Sequence, residues 1–335
     1  MLSYLYKRET RSLDKIVLYI LTWVKMTRLI NYFFTLFYFS FWVLKLKKRE
    51  RLIIAYESMG DTCYALSFNR FLQKKYICYF IVSEKQKKMI ELSYSQIPSR
   101  KLLFYENDSF KRRIVLTLMQ SHLLSSLFSK HKVWVMYPTV YSKMSERIIK
   151  DFRGIIAEKI LQVETSEGIT YPNYPKIKIN KIKEWDLIRG KVIVCNPYST
   201  SMDINPMFWE KLAELLIEKG YIVYTNIIQG QEAIKGTRPL DCSIFEMATI
   251  CNGIPLMVSI RSGIIDYVIN TTCNKFIIYN NLDQQDQKNQ NMFSIYNLDS
   301  WQKDNICQYR MDSYDSAFNR IKEYLTEISK NQQVL

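Results

Sequence analysis

The chain has few of the residues that make tight turns. There are only nine glycines and eight prolines in 335 residues, too few for an all-β protein built from many hairpins. Histidine is scarcer still. Only His122 and His131 occur, and neither has a partner at metal-ligand spacing, which argues against a zinc site and against a Ser-His-Asp triad. The seven cysteines (63, 78, 195, 242, 251, 273, 307) include no Cys-x-x-Cys pair. Their odd number and their place in apolar runs predict reduced core thiols in a cytoplasmic protein, not a disulfide framework. Asp-x-Asp is also missing. No uncharged apolar run reaches the ~20 residues of a typical spanning helix.

Hydrophobic residues make up 48% of the chain, which excludes wholesale disorder and allows a sizeable core. The net charge is +15. Residues 1–51 carry eleven Lys and Arg against Glu9, Asp14 and Glu50, so about half of the surplus lies in a leading segment. That segment holds two apolar runs, IVLYILTWV (16–24) and LINYFFTLFYFSFWVL (29–44). The second is bounded by Arg28 and by KLKKRER (45–51). Its aromatic residues suit the headgroup region of a bilayer, and its cations suit anionic lipid. No small-residue cleavage site follows, as a signal peptide requires. Three arrangements fit: a helix or helical hairpin lying in a membrane surface, a true span, and helices packed on the protein's own core. The first is the expectation, with residues 1–50 bound to an anionic membrane surface on the inner face of the cell membrane.

Beyond residue 50, short apolar runs alternate with amphipathic stretches, the pattern of a parallel α/β sheet. RLIIAYE (51–57), YICYFIVS (76–83), KLLFY (101–105) and KVWVMYP (132–138) are predicted strands; helices are predicted at 62–75, after 83 and over roughly 110–129. Residues 165–190 are irregular and are the expected domain junction. A second alternation follows. KVIVCNPY (191–198), YIVYTNII (221–228), IPLMVSI (254–260) and KFIIYN (275–280) are predicted strands, and 205–220, 242–252 and 263–272 are predicted helices. Asn205 is an N-cap candidate, with Pro206 in the first turn and Gly220 past the end. The stretch 229–241 is predicted to be a loop, and 313–329 a terminal amphipathic helix. The expected organisation is a leading segment (1–50), two Rossmann-like α/β domains (51–180 and 181–312) and a C-terminal helix (313–335).

Open parallel sheets bind ligands beyond the carboxyl ends of their strands. Polar residues at those ends are therefore the candidates. After the first strand come Ser58, Gly60 and Asp61. Asp61 fits either a helix cap or a general base. After the strand at 191–195 come Asn196, Tyr198 and Ser199, suited to hydrogen bonds with sugar or phosphate. Lys235, Thr237 and Arg238 lie in the 229–241 loop, either as anion ligands or as an ordinary solvated loop. After 254–260 come Arg261, Ser262, Gly263 and Asp266, where a helix start and a guanidinium would favour a phosphate.

These stretches resemble the GT-B glycosyltransferases, in particular glycosyltransferase family 9, the lipopolysaccharide heptosyltransferases, and its capsule-cluster relatives. IIAYESMGDTCYALSFNRFLQKK resembles the family's opening strand, Gly-Asp turn and helix. VIVCNPYSTSMDINPMFWEKLAELLIEKGYIVYT resembles the opening of its nucleotide-sugar domain. SIRSGIIDYV resembles its Asp-Ser-Gly-x-x-His stretch, with Arg261 in place of the aspartate and Asp266 in place of the histidine. The family's donor-loop lysine has no counterpart. The resemblance implies a two-domain GT-B fold and an inverting transferase of bacterial surface polysaccharide synthesis. Asp61 would be the base, and Asn196, Tyr198, Ser199, Lys235, Thr237, Arg238, Arg261, Ser262, Gly263 and Asp266 would line the donor. The nucleotide-sugar is the expected donor, a saccharide or lipid-linked saccharide the acceptor. No cofactor or metal is expected. Two rivals remain: a GT-B protein that is not a transferase, such as a sugar-nucleotide epimerase or a degenerate binding subunit, and a basic nucleic-acid-binding protein. Against the second, the charge sits beside an apolar segment and no nucleic-acid-binding motif is found.

Overall fold

The structure is a computed structural model. It describes residues 26–55, 57–107, 109–129, 132–136, 169–177, 191–199, 203–228, 230–280, 298, 301 and 303–332. The apolar run at 16–24, most of the expected junction at 165–190, and Thr200 and Ser201 lie outside these residues.

The first unit is a parallel four-stranded sheet. Its strands are β1 (Glu50–Ala55), β2 (Ile77–Ser83), β3 (Leu102–Tyr105) and β4 (Val133–Met136), in the order β3-β2-β1-β4. The inner residues of β1 and all of β4 are buried, as expected for parallel strands covered on both faces. Residues 26–45 form helix α1. Helices α2 (Met59–Ser67) and α3 (Asn69–Gln73) follow β1, α4 (Lys87–Ser93) follows β2, and α5 (Phe110–Gln120) and α6 (His122–Ser129) follow β3. The single helix expected over 110–129 is thus two. Ser121 breaks it with extended backbone (φ −100°, ψ 107°), and its hydroxyl accepts from the Leu124 N–H at 3.2 Å, starting α6. Helix α1 rests on α5 and α6 through Thr35 and Phe39, both fully buried, with the Phe39 and Phe128 rings 5.7 Å apart.

The second unit is a parallel six-stranded sheet in the order β10-β9-β8-β5-β6-β7. Its strands are β5 (Val192–Asn196), β6 (Ile222–Ile227), β7 (Arg238–Asp241), β8 (Leu256–Ile260), β9 (Asn274–Asn280) and β10 (Ile306–Met311). Counting from β5, this is the doubly wound order whose direction reverses between the first and fourth strands, here β5 and β8. The first unit reverses likewise between β1 and β4. Helix α7 (Pro206–Glu218) starts as expected: the Asn205 side chain accepts from the Met207 N–H at 2.9 Å, and Gly220 past its end has φ +83°. Helix α8 (Ile244–Cys251) starts with a capping box between Ser243 and Glu246. Helix α9 (Gly263–Tyr267) is short and passes into a 3₁₀ turn at Val268–Asn270, and α10 (Tyr314–Gln332) ends the described chain. The stretch expected to be a loop at 229–241 ends instead in β7, an edge strand.

The two units meet along α2 and α4 on one side and α9 on the other. The Ser93 and Tyr267 hydroxyls lie 2.7 Å apart, and Tyr174 donates to the Tyr267 carbonyl at 2.7 Å. Tyr171 donates to the Trp301 carbonyl at 2.7 Å. Tyr267 and Trp301 are buried, so this seam is a packed contact. All seven cysteines are free thiols, five of them buried.

Candidate functional site

The carboxyl ends of both sheets bring their polar residues to this seam. Ser58 is the N-cap of α2; its hydroxyl accepts from the Asp61 N–H at 3.1 Å and donates to the Asp61 carboxylate at 2.5 Å. The Gly60-Asp61 turn is therefore the first turn of a helix that starts three residues before the predicted 62, because Ser58 can cap it. Asp61 is half-buried. Enclosure by protein pushes its pKa from the ordinary 3.8 up to about 6. The Ser58 hydroxyl opposes this shift, the Asp266 carboxylate adds to it, and the Arg261 guanidinium opposes it. A carboxyl poised near neutrality is suited to proton transfer.

Across the seam, register builds a polar row. Asn196, the last residue of β5, pairs with Ser259 of β8. Asn226 lies one residue beyond the Cys195–Thr225 pair of β5 and β6. The Asn196 amide donates to the Ser259 hydroxyl at 2.8 Å and to the Ser262 hydroxyl at 3.1 Å, while its oxygen accepts from the Asn226 amide at 2.7 Å. Both asparagines are almost fully buried. The Ser199 hydroxyl donates to the Arg261 carbonyl at 3.0 Å, and the Tyr198 hydroxyl donates to the Glu232 carbonyl. This row crosses the point between β5 and β8 where doubly wound sheets bind their ligands. Asn226 follows the predicted strand residues 221–225 and is one of the polar strand-end residues of the sequence; Ser259 is not among the sequence candidates, though it is a polar residue near the carboxyl end of an apolar strand.

Arg261 and Asp266 differ from expectation. The guanidinium holds the Asp266 carboxylate with two hydrogen bonds, both 2.8 Å, and donates to the Ser262 carbonyl at 2.7 Å. Both side chains are largely buried. Burial pushes the Asp266 pKa up and Arg261 opposes it. The pair carries no net charge, so the expected unopposed cation for a diphosphate is not what this strand end presents. The pair instead shapes the seam. Gly263 and Gly60 touch there: a Cβ on Gly60 would stand 2.6 Å from the Asp266 carboxylate and 3.0 Å from the Gly263 Cα. Only glycine lets the starts of α2 and α9 come this near.

Lys235, Thr237 and Arg238 are not brought to this edge. Strand β7 runs parallel to β6, and Arg238, its first residue, pairs with Tyr224 near the start of β6. The crossover after β6 has therefore returned the chain to the amino edge of the sheet. Lys235 is exposed beside Gly236, whose missing side chain faces Ile217 near the far end of α7. Thr237 shares a hydrogen bond with Thr225 inside the unit (2.5 Å), and the Arg238 guanidinium lies over the Tyr224 ring. A parallel crossover is the physical reason that these residues miss the carboxyl edge of the sheet. Among the described residues, no group of three His, Cys, Asp or Glu could hold a metal ion.

No protein-family model and no curated protein matches the chain. Among solved structures, it is similar to the glycosyl transferase family 9 protein from Veillonella parvula, at 12% identity over 83% of this chain and 90% of that one, with a TM-score of 0.47. It is similar to the E. coli ADP-heptose lps heptosyltransferase II at 12% identity, covering 85% and 99%, TM-score 0.47. It is also similar to a putative UDP-N-acetylglucosamine 2-epimerase from Listeria monocytogenes at 9% identity, covering 86% and 89%, TM-score 0.45. At such scores a shared activity does not follow from the likeness.

Proposed function

We propose that the chain is a GT-B glycosyltransferase that moves a sugar from a nucleotide-sugar to a saccharide acceptor, with inversion at the anomeric carbon. The observation that carries this is that Asp61, poised near neutrality and within electrostatic reach of Arg261 and Asp266, and the polar row of Asn196, Ser259 and Ser262 lie at the switch points of two parallel sheets. The donor would lie over the β5–β8 edge, where amides and hydroxyls suit sugar and phosphate oxygens. Asp61 would take the proton of the acceptor hydroxyl as its oxygen bonds to the anomeric carbon. The bond to the nucleoside diphosphate breaks on the opposite face, and the diphosphate leaves with that electron pair. Asp61 reaches the reaction ionised only above its pKa, so kcat/KM should fall as pH drops through about 6. We further propose a lipid-linked acceptor, work at the inner face of a bacterial cell membrane in surface polysaccharide synthesis, and no cofactor beyond the donor.

The test is release of nucleoside diphosphate from a panel of nucleotide-sugars, with and without a bacterial lipid-linked saccharide extract. The expected result is acceptor-dependent release by the natural chain. Asp61→Ala should bind donor within a few-fold of it and release nothing. Full activity in that variant removes Asp61 as the base. A second reading, a nucleotide-sugar-binding protein without transfer, is favoured by the Arg261–Asp266 pair, which occupies the expected cation. Donor binding with no acceptor-dependent release in the natural chain would select it.

A further inference from the structure

We propose that the outer face of α1, together with exposed residues of α5 and α6, docks on an anionic bilayer, with α1 lying along the membrane–water interface. Between Leu29 and Leu44 the helix has no charged residue, and Asn31, Thr35 and Ser40 are its only small polar ones, so it carries far more apolar surface than one packed face can cover. Its inner face is covered by α5 and α6. Its outer face is not: Leu29, Phe33, Phe37 and Leu44 are 67–83% exposed. These positions recur at helical spacing, as one stripe opposite Thr35 and Phe39. The patch continues past α1. The Phe34 ring meets the exposed Phe110 ring at 5.2 Å, and α6, which α1 meets through Phe39 and Phe128, also exposes Leu123 and Leu127. Soluble monomers rarely leave so continuous an apolar patch to water.

Charge selects the occupant. Arg28 stands exposed at one end of the stripe, and Lys45, Lys47, Lys48 and Arg49 at the other. Lys45 Nζ lies 4.2 Å over the Phe41 ring, a cation seated beside an aromatic as at a lipid headgroup boundary. Apolar side chains framed by cations complement anionic lipid. Packing selects the orientation. The helix is held along its length, from Phe34 on Phe110 through Phe39 on Phe128 to the Leu46 carbonyl, which accepts from Lys132 Nζ. A helix fastened in this way to an α/β unit runs along a bilayer and does not cross it. No described helix is long and apolar enough to cross a membrane.

This inference stands apart from the transferase reading, and its test reads no turnover. The full chain is floated with phosphatidylcholine vesicles, with and without phosphatidylglycerol. The expected result is flotation favoured by phosphatidylglycerol. Phe33→Glu with Phe37→Glu, at exposed positions, should weaken partitioning on the order of 100-fold. Lys47→Gln with Lys48→Gln should weaken it about 5-fold per charge on anionic vesicles only. Lipids brominated on their tails should quench the indole fluorescence of a Phe37→Trp variant more than that of the natural chain, whose six tryptophans set the baseline. Flotation of the Glu pair equal to the natural chain, no flotation of the natural chain, or no added quenching in the Phe37→Trp variant would each overturn the proposal. So would self-association that the Glu pair abolishes in a chain that binds no vesicles, since the occupant would then be a second copy.

Discussion

Changing Asp61 to Asn should make the protein more stable while abolishing transfer. The folded state holds the Asp61 proton more tightly than the unfolded chain does, with a pKa of about 6 against the ordinary 3.8. The sign follows from proton linkage. Between these values the native state binds more protons than the unfolded state, so stability falls as pH rises from about 4 to about 6 and then stays lowered. At ~1.36 kcal/mol per pKa unit, the full cost approaches about 3 kcal/mol. Asp61 is half-buried, so solvent screening reduces this to roughly 1–3 kcal/mol. Asparagine keeps an oxygen to accept from the Ser58 hydroxyl, carries no charge, and no longer faces Asp266 with a like charge. Urea unfolding of both proteins at pH 4.5 and pH 7.5 is the assay. The variant should be the more stable by about 1–3 kcal/mol at pH 7.5, with the gap narrowing at pH 4.5. Equal stability at pH 7.5, or a gap that does not change with pH, would refute the claim that Asp61 is held ionised against its surroundings.

Other consequences follow from the seam. Arg261→Ala strands the buried Asp266 carboxylate and should cost on the order of 3–5 kcal/mol in urea unfolding; Asp266→Ala added to it should restore part of that loss, and additive losses would mean that the pair is not coupled. Gly60→Ala gains up to about 1 kcal/mol of helix propensity but drives a methyl against the Gly263 backbone, at about 1–3 kcal/mol. A net loss of stability is expected, and a gain would show that α2 and α9 do not touch. Asn196→Ala leaves Asn226 and Ser262 without their partner and should cost roughly 1–3 kcal/mol, with weaker donor binding in titration calorimetry; unchanged donor affinity would take the polar row out of the donor site.

Much of the architecture is legible in the chain because parallel strands buried on both faces are continuous apolar runs. VIVCN and LMVSI announce themselves, as do the Asn205-Pro206 start and Gly220 end of α7. Two strands are not legible. β7 contains Pro239 and buries only Leu240, and β10 is half-exposed along most of its length; each is an edge strand with one neighbour. The site divides in the same way. Asn196 ends its strand, and Ser262 and Asp61 lie two and six residues beyond theirs, so the sheets carry them to one edge. Lys235 and Arg238 follow β6 at a distance, and the crossover takes them to the other edge. The Arg261–Asp266 pair spans five residues around a strand end, a spacing that no helical or strand period signals. Gly60 and Gly263, which allow the seam, lie in different units, and their meeting is purely tertiary.

On the proposed reading, the β5–β8 edge takes a nucleotide-sugar. The most direct measurement is a thermal-shift screen of the full chain against UDP-, GDP-, ADP-, CMP- and dTDP-linked sugars and their free nucleotides. A ligand at about a hundred times its dissociation constant adds ~2.7 kcal/mol of stability. One nucleotide family should raise the melting temperature of the natural chain and of Asp61→Asn alike, and do so less for Asn196→Ala. A folded protein whose melting temperature none of these ligands moves would contradict the claim.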